Sequence, residues 1–130
     1  MPPERFPPDD PREWLQRAHS NLIQAGAEQE GIYREALCFQ AQQATEKALK
    51  ALLLQRGVRF PRTHSLAVLI SLLEQAGEQV SEHIRDATRL TDYAVDARYP
   101  GLDEVVDRAE YLEALALAEA VIRWVEESIT

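Results

Sequence analysis

Glycine is scarce in this sequence, and the scarcity bears directly on the fold class. Only 5 of the 130 residues are glycine, so few positions favour the tight turns that join strands. No segment of length alternates apolar and polar residues as a half-buried strand does. No stretch approaches the roughly 18 consecutive apolar residues that a membrane span needs. Neither a β-sheet nor a membrane-spanning segment is expected.

Cysteine is scarcer still. Cys38 is the single cysteine, so no disulfide can form within the chain, and a cytoplasmic location is expected. Its neighbours Leu37 and Phe39 are apolar, which favours a small buried hydrophobic group over a reactive nucleophile. The N-terminal residues show no apolar run behind a basic start. A secretory signal is therefore not expected.

The common patterns of metal and cofactor sites are also missing. His19, His64 and His83 fall in different predicted elements, and none forms a His-x-x-x-His or Glu-x-x-His pair. Asp92 and Asp96 are four residues apart, but no second acidic pair complements them, which favours a solvated face. There is no glycine-rich loop to cradle phosphates. We expect no metal and no cofactor.

What the chain does contain is helix-forming residues at helical spacing. Ala, Leu, Glu, Gln and Arg dominate, and apolar residues recur every three or four positions. Asp10-Pro-Arg-Glu is a helix-start signal, and we interpret Gly31 and Gly57 as the first residues beyond helix ends. Together these signals predict helices over about 11–30, 32–56, 64–76, 81–95 and 103–128.

The predicted organisation is a short arm followed by one domain. Residues 1–9 hold four prolines and indicate an extended arm, and residues 10–130 form a single helical domain. Short connections make successive helices antiparallel neighbours. The predicted fold class is an all-α, up-and-down four-helix-type bundle, with its third helical region split in two and no sheet. Repeated alanines on one face of the second helix predict the close approach of a neighbour.

Charge is distributed unevenly along the chain. The net charge of −8 opposes non-specific binding to nucleic acid. Residues 47–64 nevertheless contain five cations and no acid, so the rest of the chain carries −13. These cations are Lys47, Lys50, Arg56, Arg59 and Arg62. Lys50 and Arg56 complement a helix C-terminus, but the three arginines exceed that need. Anion binding, an acidic protein partner and plain solvation all remain open.

Arg98 is a second candidate cation, because it stands in the turn-forming sequence Arg98-Tyr-Pro-Gly. A salt bridge to Asp92 or Asp96 that closes the turn would explain it, and so would an exposed functional role. Tyr93 and Tyr99 are expected in the core or at an interface, with base stacking as the alternative.

Several of these residues together resemble the HEPN domain family. The most specific matches are Gln43-Ala-x-Glu-Lys-Ala-Leu-Lys and Ala97-Arg-Tyr-Pro, in that order, and Pro61-x-Thr-His between them also matches. The resemblance covers about residues 12–128. It implies an up-and-down helical bundle, commonly a homodimer. Such proteins are often encoded beside a minimal nucleotidyltransferase as a two-component system.

The resemblance also implies two kinds of activity. Many HEPN proteins are metal-independent RNA endonucleases that act as toxins, and others are thought to bind nucleotides without cutting RNA. The ribonucleases pair an Arg with a His that follows it after four to six intervening residues, and the two are brought together from two protomers. The His takes the proton of a 2′-hydroxyl, and the Arg stabilises the charged phosphorane.

This sequence departs from the catalytic pattern where the motif is expected. The histidine positions that follow Arg98 hold Asp103, Glu104 and Val105. A tyrosine two places after the motif histidine is a modification site in some toxins. Counted from His64, that position is Leu66.

Two pairs elsewhere have the required spacing, Arg59 with His64 and Arg12 with His19. The first is the better candidate because it lies in the basic segment, although His64 could equally cap or pack at the start of the third helix. The preferred function is a dimeric, non-catalytic module that binds nucleotide or a nucleotidyltransferase partner. A ribonuclease toxin using Arg59 and His64 and a non-catalytic adaptor are the alternatives. The predicted nucleotide or anion ligands are Lys47, Lys50, Arg59, His64 and Arg98.

Overall fold

The computed structural model describes residues 1–94 and 105–130. In chain order, its helical segments are α1 (Pro11–Ala25), α2 (Arg34–Gln55), α3 (Leu66–Gln75), α4 (Glu82–Arg85), a 3₁₀ helix (Asp86–Tyr93) and α5 (Arg108–Ile129). No strand occurs in the described ranges. The all-α fold class is confirmed.

Side-chain caps explain where most of these helices begin. The first backbone N–H groups of a helix have no partner within it, and an oxygen from the preceding residue satisfies one of them. In α1 the carboxylate of Asp10 accepts from the N–H of Arg12 at 2.9 Å. The caps of α3, α4 and α5 are Ser65, Ser81 and Asp107.

The predicted end of α1 was wrong. The helix stops at Ala25 and is capped by Gly26, so Gly31, with a φ of +91°, belongs to the following loop. The hydroxyl of Tyr111 on α5 donates to the Ala25 carbonyl at 2.6 Å and satisfies one acceptor at this helix end. That partner comes from a distant part of the chain, so local sequence could not reveal it.

The third helical region is split in two as predicted, but its second part differs from the prediction. A single helix was predicted over 81–95, but only Glu82–Arg85 is α-helical, and Asp86–Tyr93 continues as a 3₁₀ helix. The last helix begins at Arg108 rather than near 103 because Asp107 caps it.

The second helix is the centre of the bundle. It packs against α1, α3, α5 and the 3₁₀ helix, so it is buried on most sides. Four of its alanines are almost inaccessible to solvent, at 0 or 1% exposure: Ala41, Ala44, Ala48 and Ala51. Small side chains allow the neighbouring helix backbone to come close, as the alanine pattern predicted. Cys38 is buried as expected.

The proline-rich arm folds back against the first helix. The N–H of Phe6 donates to Glu13 Oε1 at 2.9 Å, and the indole N–H of Trp14 donates to the Pro8 carbonyl at 2.7 Å. The guanidinium of Arg12 lies over the Phe6 ring, 4.2 Å from its centroid. None of the described helices combines the length and apolar character that a bilayer-spanning segment requires.

Candidate functional site

The basic segment forms the end of α2 and the connection to α3, here called the α2–α3 loop (residues 56–65). Gly57 has a φ of +69°, and the N–H of Val58 donates to the Leu53 carbonyl at 2.9 Å. This hydrogen bond across a left-handed residue ends α2 as the sequence predicted. At the other end, the N–H of Ser65 donates to Thr63 Oγ1 at 3.0 Å, and Ser65 caps α3. The loop is therefore anchored at both ends.

A polar cluster underlies this loop, made of the buried residues Gln42, Glu46 and Lys50 and of His64, whose side chain is exposed. The first three are spaced four residues apart on one face of α2, and each is at most 7% exposed. Oε2 of Glu46 accepts from Lys50 Nζ at 3.0 Å. Oε1 accepts from Gln42 Nε2 at 3.1 Å and lies 2.8 Å from His64 Nδ1. Glu46 is the centre of the cluster.

The hydrogen bonds of Glu46 determine its protonation. Burial acts to raise the pKa of its carboxyl group, but hydrogen bonds from His64, Lys50 and Gln42 outweigh burial and hold the pKa below its usual value. Because an ionised carboxylate can only accept, the proton in its contact with His64 belongs to Nδ1. In the neutral ring Nε2 is then an acceptor, and the His64 side chain is 65% exposed.

Lys50 has its partners inside the molecule. Its ammonium group pairs with Glu46 and lies 5.7 Å from the ring centroid of Trp14 and 5.6 Å from that of Phe60. The two rings meet edge to face with their centroids 6.1 Å apart. Cation–π contacts of this kind stabilise a desolvated ammonium group. The structure therefore gives Lys50 a role in holding Phe60, and with it the loop, against α1 and α2.

Lys47 lies one residue along α2 from this cluster and is half-buried. Its Nζ donates to Asn21 Oδ1 of α1 at 2.7 Å. Burial, reinforced by the nearby charge of Arg17, lowers the pKa of Lys47. Its hydrogen-bond partner Asn21 is a neutral amide, so this contact places no acid beside Lys47.

The arginines of the loop fall into two groups. Arg56 pairs with Glu78 and donates to the Ser128 carbonyl at 2.7 Å, so it ties the loop to the bundle. Arg59 and Arg62 are exposed and make no hydrogen bond or ion pair within residues 1–94 and 105–130. The structure thus places Arg59, Arg62 and His64 together on one loop.

The other sequence candidates do not join this group. Arg98 and Asp96 lie outside the described residues. Arg12 pairs with Asp10 at 2.8 Å, and His19 lies 3.3 Å from Glu126, so each member of the second Arg/His pair contacts an acid of its own. In the described part of the chain, no three His, Cys, Asp or Glu side chains form a group that could hold a metal ion.

Sequence reasoning missed the role of Glu46. The residue belongs to the block that resembles a known family, and it stands four positions before Lys50, a spacing at which opposite charges pair on a helix. That spacing was the available signal for the ion pair. The contacts of Glu46 with His64, and of Lys50 with Trp14, join residues far apart in sequence and needed the fold.

Comparison with known proteins gives a consistent result. Residues 11–128 match the HEPN domain family. The crystal structure of TT1696 from Thermus thermophilus is 37% identical, with a TM-score of 0.77 over 90% of this chain and 96% of that one. ST0689, described as an archaeal HEPN homologue, is 26% identical, with a TM-score of 0.71 over 93% of this chain and 98% of that one. No curated protein matches.

Proposed function

Because the chain belongs to the HEPN domain family, we propose that it acts as a dimeric, non-catalytic binding module for nucleotide or for a partner protein. Its α2–α3 loop receives the anionic group, with the phosphate of a nucleotide as the first candidate. The observation that supports this proposal is the exposure of Arg59 and Arg62 on that loop, with no acidic partner in the described parts of the chain.

Most arginines in the described parts of this acidic protein do have acidic partners. Such pairs involve Arg12, Arg17, Arg56, Arg85, Arg89 and Arg108. Arg34 and Arg123 have none in the described ranges, but they lie on two different helices, at the start of α2 and near the end of α5. Arg59 and Arg62 are three residues apart in the same loop, and the guanidinium group offers paired donors that match phosphate oxygens.

The loop is also held in place before any ligand arrives. Phe60 packs against Lys50, and His64 contacts Glu46, so the two arginines project from an ordered segment. Ordering a loop in advance lowers the entropic cost of binding. This arrangement favours a recognition role over simple solvation of the arginines.

Nucleotide binding is expected to depend on the two loop arginines. Because a hydrogen bond to a charged group contributes roughly 1.5–3 kcal/mol, and about 1.4 kcal/mol is tenfold in affinity, Arg59→Gln/Arg62→Gln should raise the Kd for ATP or GTP at least tenfold. Isothermal titration calorimetry at low salt measures the change. The matched control is Arg34→Gln/Arg123→Gln, which removes the same charge elsewhere. An equal loss in the control, or no binding to the wild type at millimolar nucleotide, would contradict the proposal.

In this proposal the chain forms a homodimer, binds a nucleotidyltransferase as its partner and acts in the cytoplasm. Family membership supports this part of the proposal. Large exposed apolar side chains add to that support, since three of them lie on or near the helix ends joined by the Tyr111–Ala25 hydrogen bond: Ile23, Tyr33 and Val105. Apolar groups of this size at one end of a bundle suit contact with another protein surface.

A metal-independent ribonuclease is the second candidate, and the contact between Glu46 and His64 favours it. A carboxylate that accepts from Nδ1 fixes the tautomer in which Nε2 can take a proton. Nε2 would remove the proton of an RNA 2′-hydroxyl, whose oxygen would attack the adjacent phosphorus and expel the 5′-oxygen. The products would be a 2′,3′-cyclic phosphate and a 5′-hydroxyl that takes its proton from solvent. Arg59 would stabilise the charge that develops on the phosphorane.

The ribonuclease candidate makes its own prediction. His64→Ala should reduce RNA cleavage by about 10²–10⁴-fold, the usual contribution of a general base. Cleavage of a labelled RNA is followed on denaturing gels with EDTA present. His83→Ala removes another exposed histidine and should leave the rate unchanged. Full activity in the His64 variant would eliminate this candidate, and the adaptor alternative predicts neither cleavage nor nucleotide binding.

A further inference from the structure

The proline-rich arm is fastened to α1 by contacts near its C-terminal end. The N–H of Phe6 donates to Glu13 Oε1 at 2.9 Å, and the guanidinium of Arg12 lies 4.2 Å from the centroid of the Phe6 ring. Two residues further along, the Pro8 carbonyl accepts from the indole N–H of Trp14 at 2.7 Å. The residues that hold the arm in these contacts all belong to the first turn of α1.

On its other side the arm borders an open cavity. Pro7 lines this cavity together with Gln55 at the end of α2 and Ile129 at the end of α5. Open space therefore lies between this part of the arm and the ends of those two helices. Apart from Phe6, which is half-buried, residues 1–9 are exposed. Releasing the arm would thus uncover little apolar surface, and the free-energy cost would be small.

Trp14 joins the arm to the α2–α3 loop. Its ring meets the ring of Phe60 edge to face, with the two centroids 6.1 Å apart. Lys50 Nζ lies within 6 Å of both rings, at 5.7 Å from the first and 5.6 Å from the second. Edge-to-face pairs depend on the relative position of the rings. A contact that fixes the indole of Trp14 therefore also helps to fix Phe60.

Phe60 in turn holds the middle of the loop to the bundle. The other anchors of the loop are at its two ends, at Val58 and at residues 64–65. Arg59 precedes Phe60 and Arg62 follows two residues later, and both arginines are exposed. Movement of Phe60 away from Trp14 would therefore free the segment that carries both arginines.

We infer that the arm is a strap that holds the α2–α3 loop in place through Trp14, so that removing the arm releases the loop while the bundle stays folded. Pro8 fixes the indole of Trp14, and the indole fixes Phe60. A terminal segment that buries little apolar surface suits this role, because such segments open locally at low free energy. The inference goes beyond the proposed function, since it concerns the order of the loop and not the group that the loop binds.

Trypsin cleavage measures the release of the loop, because trypsin cuts after arginine. Deletion of residues 2–8 should speed cleavage after Arg59 and Arg62 about three- to tenfold, the change in an opening equilibrium that the net contribution of one hydrogen bond produces. Cleavage after Arg123 within α5 reports opening of the bundle and should not change. Initial rates at each arginine are measured by mass spectrometry at low conversion.

A shorter deletion is the matched control. Removing residues 2–5 shortens the arm but keeps Phe6 and Pro8, and it costs the 3.9 Å contact of the exposed Arg5 with Glu13. The cleavage rates should stay at the wild-type values. Thermal melting followed by circular dichroism checks that each shortened chain folds cooperatively.

A substitution of Trp14 tests the route by which the arm acts. Trp14→Leu should by itself speed cleavage of the loop, because it removes the ring that contacts Phe60. Adding the deletion of residues 2–8 should then cause no further rise, since the arm no longer has an indole to hold. Two changes that act through one contact are not additive, whereas independent changes are.

The possible outcomes are distinct. Wild-type cleavage rates in the chain without residues 2–8 would overturn the strap, and so would an equal rise in the chain without residues 2–5. Additive effects of the long deletion and Trp14→Leu would mean that the arm does not act through Trp14. A parallel rise after Arg123, or loss of cooperative melting, would mean that the arm supports the whole bundle, which also contradicts the inference. The test uses no nucleotide, so its failure leaves the proposed ATP site untouched.

Discussion

Replacing Glu46 with alanine is expected to lower the free energy of unfolding by roughly 3–5 kcal/mol, the usual cost of removing one partner of a buried ion pair. Glu46 is 4% exposed and Lys50 is 7% exposed, so the substitution leaves an ammonium group inside the protein without a carboxylate. It also removes the carboxylate oxygen that accepts hydrogen bonds from Gln42 and His64. Urea denaturation followed by circular dichroism measures the change.

A double variant is the control for this interpretation. Glu46→Leu/Lys50→Met replaces both charges with apolar groups of similar length, so no uncompensated charge remains. It should be more stable than Glu46→Ala. If the double variant is equally destabilised, the ion pair is not the source of the effect, and loss of the His64 contact or of packing accounts for it.

The pH dependence of the same variant gives a second check. The folded-state pKa of Glu46 is below its ordinary value of 4.5, so its stabilising contribution is fully present above about pH 4.5. That contribution is lost as pH falls through the folded-state pKa, because protonation then favours the unfolded chain. The stability difference between wild type and Glu46→Ala should therefore be constant near neutrality and shrink in acid. A difference that grows below pH 4.5 would contradict the direction of the shift.

Leu52→Ala is expected to lower the free energy of unfolding by about 2–5 kcal/mol, as large-to-small changes in a core do. Leu52 is 0% exposed and lies on α2, the helix against which α1, α3, α5 and the 3₁₀ helix pack. A cavity at this position has neighbours on several sides and collapses poorly. Thermal and urea denaturation measure the loss.

The matched control is Leu112→Ala on α5, where the same atoms are removed from a side chain that is 41% exposed. A change at a partly exposed position should cost much less, within about 1 kcal/mol. A similar loss of unfolding free energy in the two variants would contradict the dominant place of α2 in the core. It would also mean that Leu112 is covered in solution, for example by a second copy of the chain.

The fold was predictable because its signals are local. Helical spacing of apolar residues identified the helical regions of residues 1–94 and 105–130. Asp10 showed where the first one begins, through a hydrogen bond that spans two residues. Gly57 showed where the second helix ends, because its left-handed backbone conformation is also a local property of the chain. The end of α1 was misplaced because its last carbonyl is satisfied by Tyr111, a residue of the final helix. A local pattern cannot report a distant partner.

The candidate site was predictable only in part. The sequence located the cations of residues 47–64, but it gave Lys50 and Arg59 equal standing as anion ligands. In the fold, Lys50 faces Glu46 and two aromatic rings, whereas Arg59 remains at the surface. Both carry the same charge in the sequence, and the difference lies in the direction each side chain takes from the packed bundle.

The sequence by itself therefore determined the helices, the family resemblance and the segment that concentrates positive charge. These follow from spacing and from residue type, which are properties of neighbours along the chain. Only the tertiary structure decided which charges are neutralised inside and which stay outside. That division arises when α1, α2 and the loop pack together, because burial brings Glu13 and Glu46 beneath Arg17 and His64. Desolvation then makes each such pairing obligatory.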